Sequence, residues 1–231
     1  MAQKKLKRFN EIKSFPNVME YPAGMRGEWN SYFKNDHPII LELACGKGEY
    51  TVGLATLFPE KNFIGIDIKG NRIWAGAKKA LDEKIVNAAF LRTQIDKISD
   101  YFADGEIDAI WITFPDPQLR TSKASKRLTH PKFLRKYLAI LRPGGKIHLK
   151  TDSPQLYNFT KLVAHMYDLH IHENINNVYA QTELPDHLKI KTHYEGLDIS
   201  GSNTIFYLSF SLPDTISEDD EQLHSILKEG V

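Results

Sequence analysis

The sequence predicts a doubly wound α/β fold: a mostly parallel seven-stranded sheet with an antiparallel hairpin at its edge. Three observations predict it. Five short apolar runs, Ile39–Leu43, Asn62–Ile66, Ala88–Arg92, Ile107–Phe114 and Lys146–Thr151, read as strands. Helical patterns over Glu49–Leu57, Asn71–Glu83, Asp96–Phe102 and Pro131–Leu141 separate them, and Pro154–Tyr167 follows the last. Such alternation requires parallel strands with helices on both faces. Finally, His170–Tyr179 and Thr204–Leu212 have strand character with no clear helix between them, so they pair as a hairpin.

Taken in order, the chain opens with a basic leader, residues 1–33, whose first 20 residues have little apolar periodicity and read as partly flexible. The α/β domain spans residues 34–213. Its first strand runs into a loop with Gly46 and Gly48, and a helix follows from Glu49. Leu141-Arg-Pro-Gly-Gly145 ends a helix and turns into a strand, as Pro and paired Gly dictate. Residues 214–231 form an acidic tail in which Leu223, Ile226 and Leu227 have the spacing of a short helix.

Composition narrows the function classes. No apolar run approaches the ~18 residues that span a bilayer, and no apolar stretch follows the basic N-terminus as a secretory signal requires. Cys45 is the only cysteine, so there is no internal disulfide and no cysteine-based zinc site. His170 and His172 share a strand face but lack an evident third ligand, so no metal is expected. A cytoplasmic location follows, and monomer and homodimer both remain open. The net charge of +1 conceals a polar charge map. From Pro117 to Lys150 there is no Asp or Glu, while Arg120, Lys123, Lys126, Arg127, Lys132, Arg135, Lys136, Arg142 and Lys146 accumulate. A stretch of this kind suits a nucleic-acid backbone.

The glycine loop marks a nucleotide edge, because only a missing Cβ allows close backbone approach. A dinucleotide fingerprint would place Gly or Ala three residues after Gly48, where this chain has Thr51. Glu42, at the end of the first strand, would repel a pyrophosphate. A carboxylate there suits S-adenosylmethionine, which carries an ammonium and a sulfonium and no phosphate. Asp67 closes the second strand 19 residues beyond Gly48, the position of a ribose-binding carboxylate. Gln94, after the third strand, can offer a carbonyl to the adenine amine.

The substrate side follows from the other strand ends. Pro115 and Pro117 stiffen the loop that carries Asp116. Asp152 ends the next strand and faces the same crevice, and Glu195 in Thr192-His-Tyr-Glu195 adds a third carboxylate. Trp74 and Trp111 read as core packing, and His148 as a packed or hydrogen-bonded residue.

Phe114-Pro-Asp-Pro117, Arg120, Lys126-Arg127-Leu128-Thr129, Lys150-Thr-Asp152 and Thr192-x-Tyr-Glu195 together resemble the bacterial tRNA (guanine-N7-)-methyltransferases, over roughly Lys34 to Phe210. The resemblance implies a Rossmann-like, S-adenosylmethionine-dependent methyltransferase that forms 7-methylguanosine in the tRNA variable loop. It assigns Glu42, Asp67, Gln94 and Asp116 to the cofactor. Arg120, Asp152 and Thr192, Tyr194 and Glu195 go to the tRNA substrate. Asp116, next to the methyl donor, is the catalytic candidate, and Arg120, Lys126 and Arg127 are expected to hold phosphates. The chain departs from the family pattern at Gln94 (usually Asp), Asp67 (commonly Glu), Gln118 (usually Trp) and Arg120 (Lys), and has Ser125-Lys-Arg127 for Lys-Arg-Arg. An alternative of another class is a catalytically inactive tRNA-binding protein on the same fold.

Overall fold

Every side chain of Ile39–Leu43 is withdrawn from solvent, the mark of a strand covered on both sheet faces. Along it Leu41 and Leu43 point into one apolar layer and Ile40 into the other. The computed structural model describes residues 2–193, 195 and 204–229. In chain order they form α1 (Ala2–Glu11), β1 (Val18–Glu20), α2 (Trp29–Phe33), β2 (Ile39–Leu43), α3 (Glu49–Leu57), β3 (Asn62–Asp67) and α4 (Gly70–Asp82). Then come β4 (Ala88–Arg92), β5 (Ile107–Thr113), α5 (Pro131–Ile140), β6 (Leu141–Thr151), α6 (Pro154–Met166) and β7 (His170–Ile175). The short α7 (Asp186–Lys189), β8 (Phe206–Ser211) and α8 (Glu221–Glu229) complete the described chain. Among the described residues no helix is long and apolar enough to cross a membrane.

The strands form one sheet in the order β1-β4-β3-β2-β5-β6-β8-β7. All neighbours from β1 to β6 are parallel, whereas β8 runs antiparallel to both β6 and β7. The parallel core with its antiparallel edge pair is the expected architecture, enlarged by one strand. The eighth strand is β1, which lies in register beside β4 with Val18 opposite Phe90. The Pro-Gly-Gly segment is drawn into the start of β6, and the register between β5 and β6 shifts there, from Ile107 opposite Leu141 to Ala109 opposite Lys146.

Helices cover both faces. Trp29 of α2, Tyr137 of α5, Leu156 of α6 and Leu223 of α8 pack in one layer, and Tyr50, Ile73 and Leu188 of α3, α4 and α7 in the other. The leader is more ordered than its sequence suggests, and the tail holds a short helix, α8, at the expected Leu223–Leu227 spacing. The leader forms α1 because Phe9 and Ile12 close over Gly70, where a Cβ would meet Ile12 at 2.6 Å. Trp74 serves this docking, and is only half-buried: Arg8 lies 4.3 Å over its ring, and its indole N–H donates to Glu11 at 2.6 Å. At the other end, Asp220 accepts a hydrogen bond from Arg135 at 2.6 Å and another from the Tyr167 hydroxyl at 2.6 Å. Trp111 is buried, stacked 4.2 Å from His148, whose Nδ1 lies 2.9 Å from the Tyr207 hydroxyl.

Candidate active site

Strand order reverses about β2, with β3 and β4 to one side and β5 and β6 to the other. Ligands bind open α/β sheets at such a switch point, outside the carboxyl ends of the strands. A cavity of about 620 Å³ opens there, within the size range of small-molecule sites. Segments following β2, β3, β5 and β6 all reach it, and so does Thr192 from the later loop.

The loop after β2 is shaped by left-handed backbone at Ala44, Gly46 and Gly48 (φ +57°, +57° and +71°). At Gly48 a Cβ would lie 2.5 Å from the Phe90 ring and 3.3 Å from Gly76 Cα, so this glycine lets the loop sit down on α4. Gly48 is thus a packing residue, outside the cavity lining. Gly46 lines the cavity and donates its N–H to Asp67 Oδ2 at 3.0 Å. Asp67 Oδ1 accepts the N–H of Lys69 at 2.8 Å. Two backbone donors therefore fix this carboxylate at the cavity wall, behind the glycine loop.

Glu42 lies deeper than expected. It is 3% exposed and does not line the cavity. Its Oε2 accepts the N–H of Thr51 at 2.7 Å and also the Thr51 hydroxyl, while Oε1 accepts from the Thr113 hydroxyl at 2.6 Å. Thr51 is in the first turn of α3, where backbone N–H groups lack helical partners. The chain's own carboxylate thus occupies the place where a helix N-terminus would hold a pyrophosphate. This fits a cationic ligand such as S-adenosylmethionine and disfavours a dinucleotide. Burial pushes the Glu42 carboxyl up to about 7, against the lowering effect of the Thr113 and Thr51 hydrogen bonds.

Asp116 stands exposed on the lining loop between Phe114 and Gln118, both left-handed (φ +46° and +48°). Non-glycine residues adopt that region only when surrounding contacts impose it. The contacts are visible: Phe114 N–H donates to the Lys150 carbonyl at 2.8 Å, and Gln118 N–H to Asp116 Oδ1 at 3.0 Å. Arg127 completes the brace. It is buried, its guanidinium donates to the Gln118 carbonyl at 3.3 and 3.2 Å, and it packs 4.4 Å over Phe159. Arg127 was expected at a phosphate; its guanidinium is turned inward to the loop instead.

Asp152 lines the cavity, just before Ser153, whose hydroxyl caps α6 by accepting the N–H of Leu156 at 3.2 Å. Thr192 lines the cavity, but Glu195 does not. The Glu195 carboxylate accepts from Lys150 at 3.3 Å, from the Tyr179 hydroxyl, and from the Thr192 N–H at 3.3 Å. Tyr194 lies outside the described residues. Gln94 is exposed beyond the end of β4 and does not line the cavity.

The acid-free stretch divides on folding. Lys132 pairs with Asp96 at 2.8 Å, Arg135 with Asp220, and Arg142 with Asp108. Lys150 is fully buried. Arg120, Lys123 and Lys126 are exposed and make no ion pair among the described residues. They follow in sequence the loop of Asp116 and Leu119, which lines the cavity. Sequence reasoning passed over Thr51, Thr113 and Lys150 as partners of site carboxylates. Nothing in their local sequence distinguishes them, since each pairing joins separate elements.

A protein-family model described as a putative methyltransferase matches residues 36–208. The chain is 49% identical over 213 residues to the tRNA (guanine-N(7)-)-methyltransferase of Porphyromonas gingivalis, covering 87% of this chain and 86% of that protein. It is 45% identical over 222 residues to the protein of that name from Bacteroides thetaiotaomicron, covering 92% and 87%. Among solved structures, a 30S ribosomal A1408 methyltransferase from an uncultured bacterium is similar with a TM-score of 0.59 at 18% identity, covering 81% of this chain and 93% of that one. An SAM-dependent methyltransferase from Aquifex aeolicus gives 0.52 at 14%, covering 80% and 87%. At these identities the structural likeness is one of fold.

Proposed function

This chain belongs to the tRNA (guanine-N(7)-)-methyltransferase family, and from that premise we propose that it methylates N7 of a guanine in the tRNA variable loop, in the cytoplasm, at the cavity between β2 and β5. The observation that carries the reading is convergence. Asp67, Asp116 and Asp152, from three separate strand ends, line one cavity, and the exposed cations Arg120, Lys123 and Lys126 follow its Asp116–Leu119 loop in sequence.

S-adenosylmethionine supplies an electrophilic sulfonium methyl when bound. Asp67, held by Gly46 and Lys69, is the acceptor for ribose hydroxyls, and Gly46 lets the ligand approach the backbone. Glu42 acts from beneath, fixing the start of α3 and the end of β5 around the cavity. Gln94, two residues beyond Arg92, the residue opposite Asp67 in the β3–β4 register, is the candidate acceptor for the adenine amine.

Guanine N7 has a lone pair and no proton, so no base is required to prepare it. Catalysis is then chiefly a matter of holding the reacting atoms in line. The ring gains positive charge as N7 is alkylated, and a fixed carboxylate at its edge stabilises that charge. Asp116, on its braced loop, is the candidate for this role. The opposite edge of guanine presents N1–H and an amine, both donors, and Asp152 is the candidate acceptor for them, whereas adenine offers an acceptor at N1. Glu195, committed to Lys150, supports Thr192 and stays clear of the base. Arg120 and Lys126 hold phosphates, which position RNA without reading sequence.

The test is methyl transfer from labelled S-adenosylmethionine to an unmodified tRNA transcript, with the product located by cleavage at 7-methylguanosine. Label at a variable-loop guanine is expected. Label elsewhere would reject the target, and no label on a range of tRNAs would leave an inactive RNA-binding protein.

A further inference from the structure

Leu119 is 62% exposed at the lip of the cavity that it helps to line. Singly exposed leucines are common and ordinarily need no explanation. This one differs in how it is mounted. The residue before it, Gln118, is held in left-handed backbone, its N–H by Asp116 and its carbonyl by the buried Arg127 guanidinium. Three hydrogen bonds to two backbone groups of Gln118 hold the backbone from which this aliphatic tip projects. Immediately after it come the unpaired cations Arg120, Lys123 and Lys126. In sequence the apolar tip therefore lies between the cavity-lining Asp116 loop and the exposed cations proposed to hold phosphates.

A guanine stacked within folded RNA cannot enter a cavity while its two neighbours cover its faces. Enzymes that act on a base extrude it, at an unstacking cost of a few kcal/mol. Extrusion leaves a gap between two base faces, and an apolar side chain of the size of leucine fits such a gap.

We propose that Leu119 is a wedge that enters the tRNA base stack where the target guanine leaves it, holding that guanine in the cavity. This rests on the reading of the chain as a tRNA guanine-N7 methyltransferase. Asp116 and Leu119, three residues apart on one braced loop, then serve the two consequences of extrusion. The first meets the extruded ring and the second fills its place.

The probe is a tRNA transcript with 2-aminopurine next to the target guanine, mixed with the full-length enzyme and S-adenosylhomocysteine. Fluorescence rises when the neighbouring guanine unstacks. Wild type should give this rise and Leu119→Ala should lose most of it. The same variant should lose about tenfold or more in kcat/KM on tRNA, the scale of a few kcal/mol of unstacking. Leu119→Met should retain both, and the affinity for S-adenosylmethionine should be unchanged in each variant. An undiminished rise and undiminished turnover in Leu119→Ala would overturn the proposal. So would a loss of cofactor affinity that matches the loss of activity, since Leu119 would then be a cover for the cofactor. If wild type methylates no tRNA at guanine N7, the underlying reading fails and the wedge falls with it.

Discussion

The Lys150 ammonium lies 3.3 Å from Glu195 Oε2, with the lysine side chain fully buried and the glutamate side chain 5% exposed. The same ammonium donates to the carbonyls of Leu188 and Ile190 at 2.9 Å each. One cation on β6 thereby ties α7 and the loop that carries Thr192 to the centre of the sheet. Burial alone would push the lysine below its ordinary range, and Glu195 draws it back towards the charged form.

Breaking such a pair leaves a buried charge without its counterion, which costs about 3–5 kcal/mol. Glu195→Ala is expected to lower the stability from urea unfolding by that order. Combining Lys150→Met with Glu195→Gln removes both charges and should recover a substantial part of the loss. A double variant no more stable than Glu195→Ala would mean that the pair contributes packing and little electrostatics.

Glu42 gives a pH dependence whose sign is fixed. Its carboxyl is raised in the folded protein from 4.5 to about 7, chiefly by burial. Below pH 4.5 both states hold the proton and the shift costs nothing. Between 4.5 and 7 only the folded state holds it, so stability falls as pH rises, by roughly 3 kcal/mol in full at ~1.4 kcal/mol per unit. Glu42→Gln can keep the bond from Thr51 through its carbonyl and donate to the Thr113 hydroxyl through its amide. It should flatten the melting temperature between pH 4.5 and 8 relative to wild type. Parallel curves for the two proteins would remove Glu42 as the titrating group.

These two sites also show where sequence reading stops. The strands and most helices were legible because buried parallel strands are continuous apolar runs, as in Ile39–Leu43, and their ends carry the chemistry by topology. Periodicity puts Glu42 on the face of Ile40 but carries no information about depth, so a carboxylate beneath the cavity reads like one within it. Arg127 sits inside the acid-free stretch, and Lys150 closes it, with Asp152 rather than Glu195 as its near acid in sequence. Their partners, the Gln118 carbonyl and Glu195, come from a turned loop and from a segment 45 residues away. The eighth strand escaped notice because Val18–Glu20 is three residues long, and its pairing with β4 is what makes it a strand.

Asp152 can be tested without disturbing its shape. Asn at this position keeps one carbonyl acceptor for guanine but replaces the other oxygen and the charge by N–H₂, and donors do not pair with donors. Hydrogen bonds to a charged group are worth about 1.5–3 kcal/mol, so Asp152→Asn should lose roughly ten- to a hundredfold in kcat/KM on tRNA. Calorimetry should find its S-adenosylmethionine affinity unchanged. Full turnover in the variant would take Asp152 out of the guanine site.

Lys126 and Arg127 are neighbours in sequence with opposite surroundings, and their variants should separate two readouts. Lys126 is exposed with no ion pair among the described residues, while Arg127 is buried against Phe159 and the Gln118 carbonyl. A cation that neutralises one phosphate contributes about 0.7–0.9 to the slope of log K against log salt. Lys123→Ala with Lys126→Ala should therefore flatten the tRNA-binding slope by between one and two, with kcat at saturating tRNA retained. Arg127→Lys keeps a charge but cannot keep the planar fork on one carbonyl. It should leave the salt slope as in wild type and lower kcat, because the loop that holds Asp116 loses its brace. A flattened slope in Arg127→Lys would return that guanidinium to the RNA surface, and an unaltered slope in the double lysine variant would remove Lys123 and Lys126 from it.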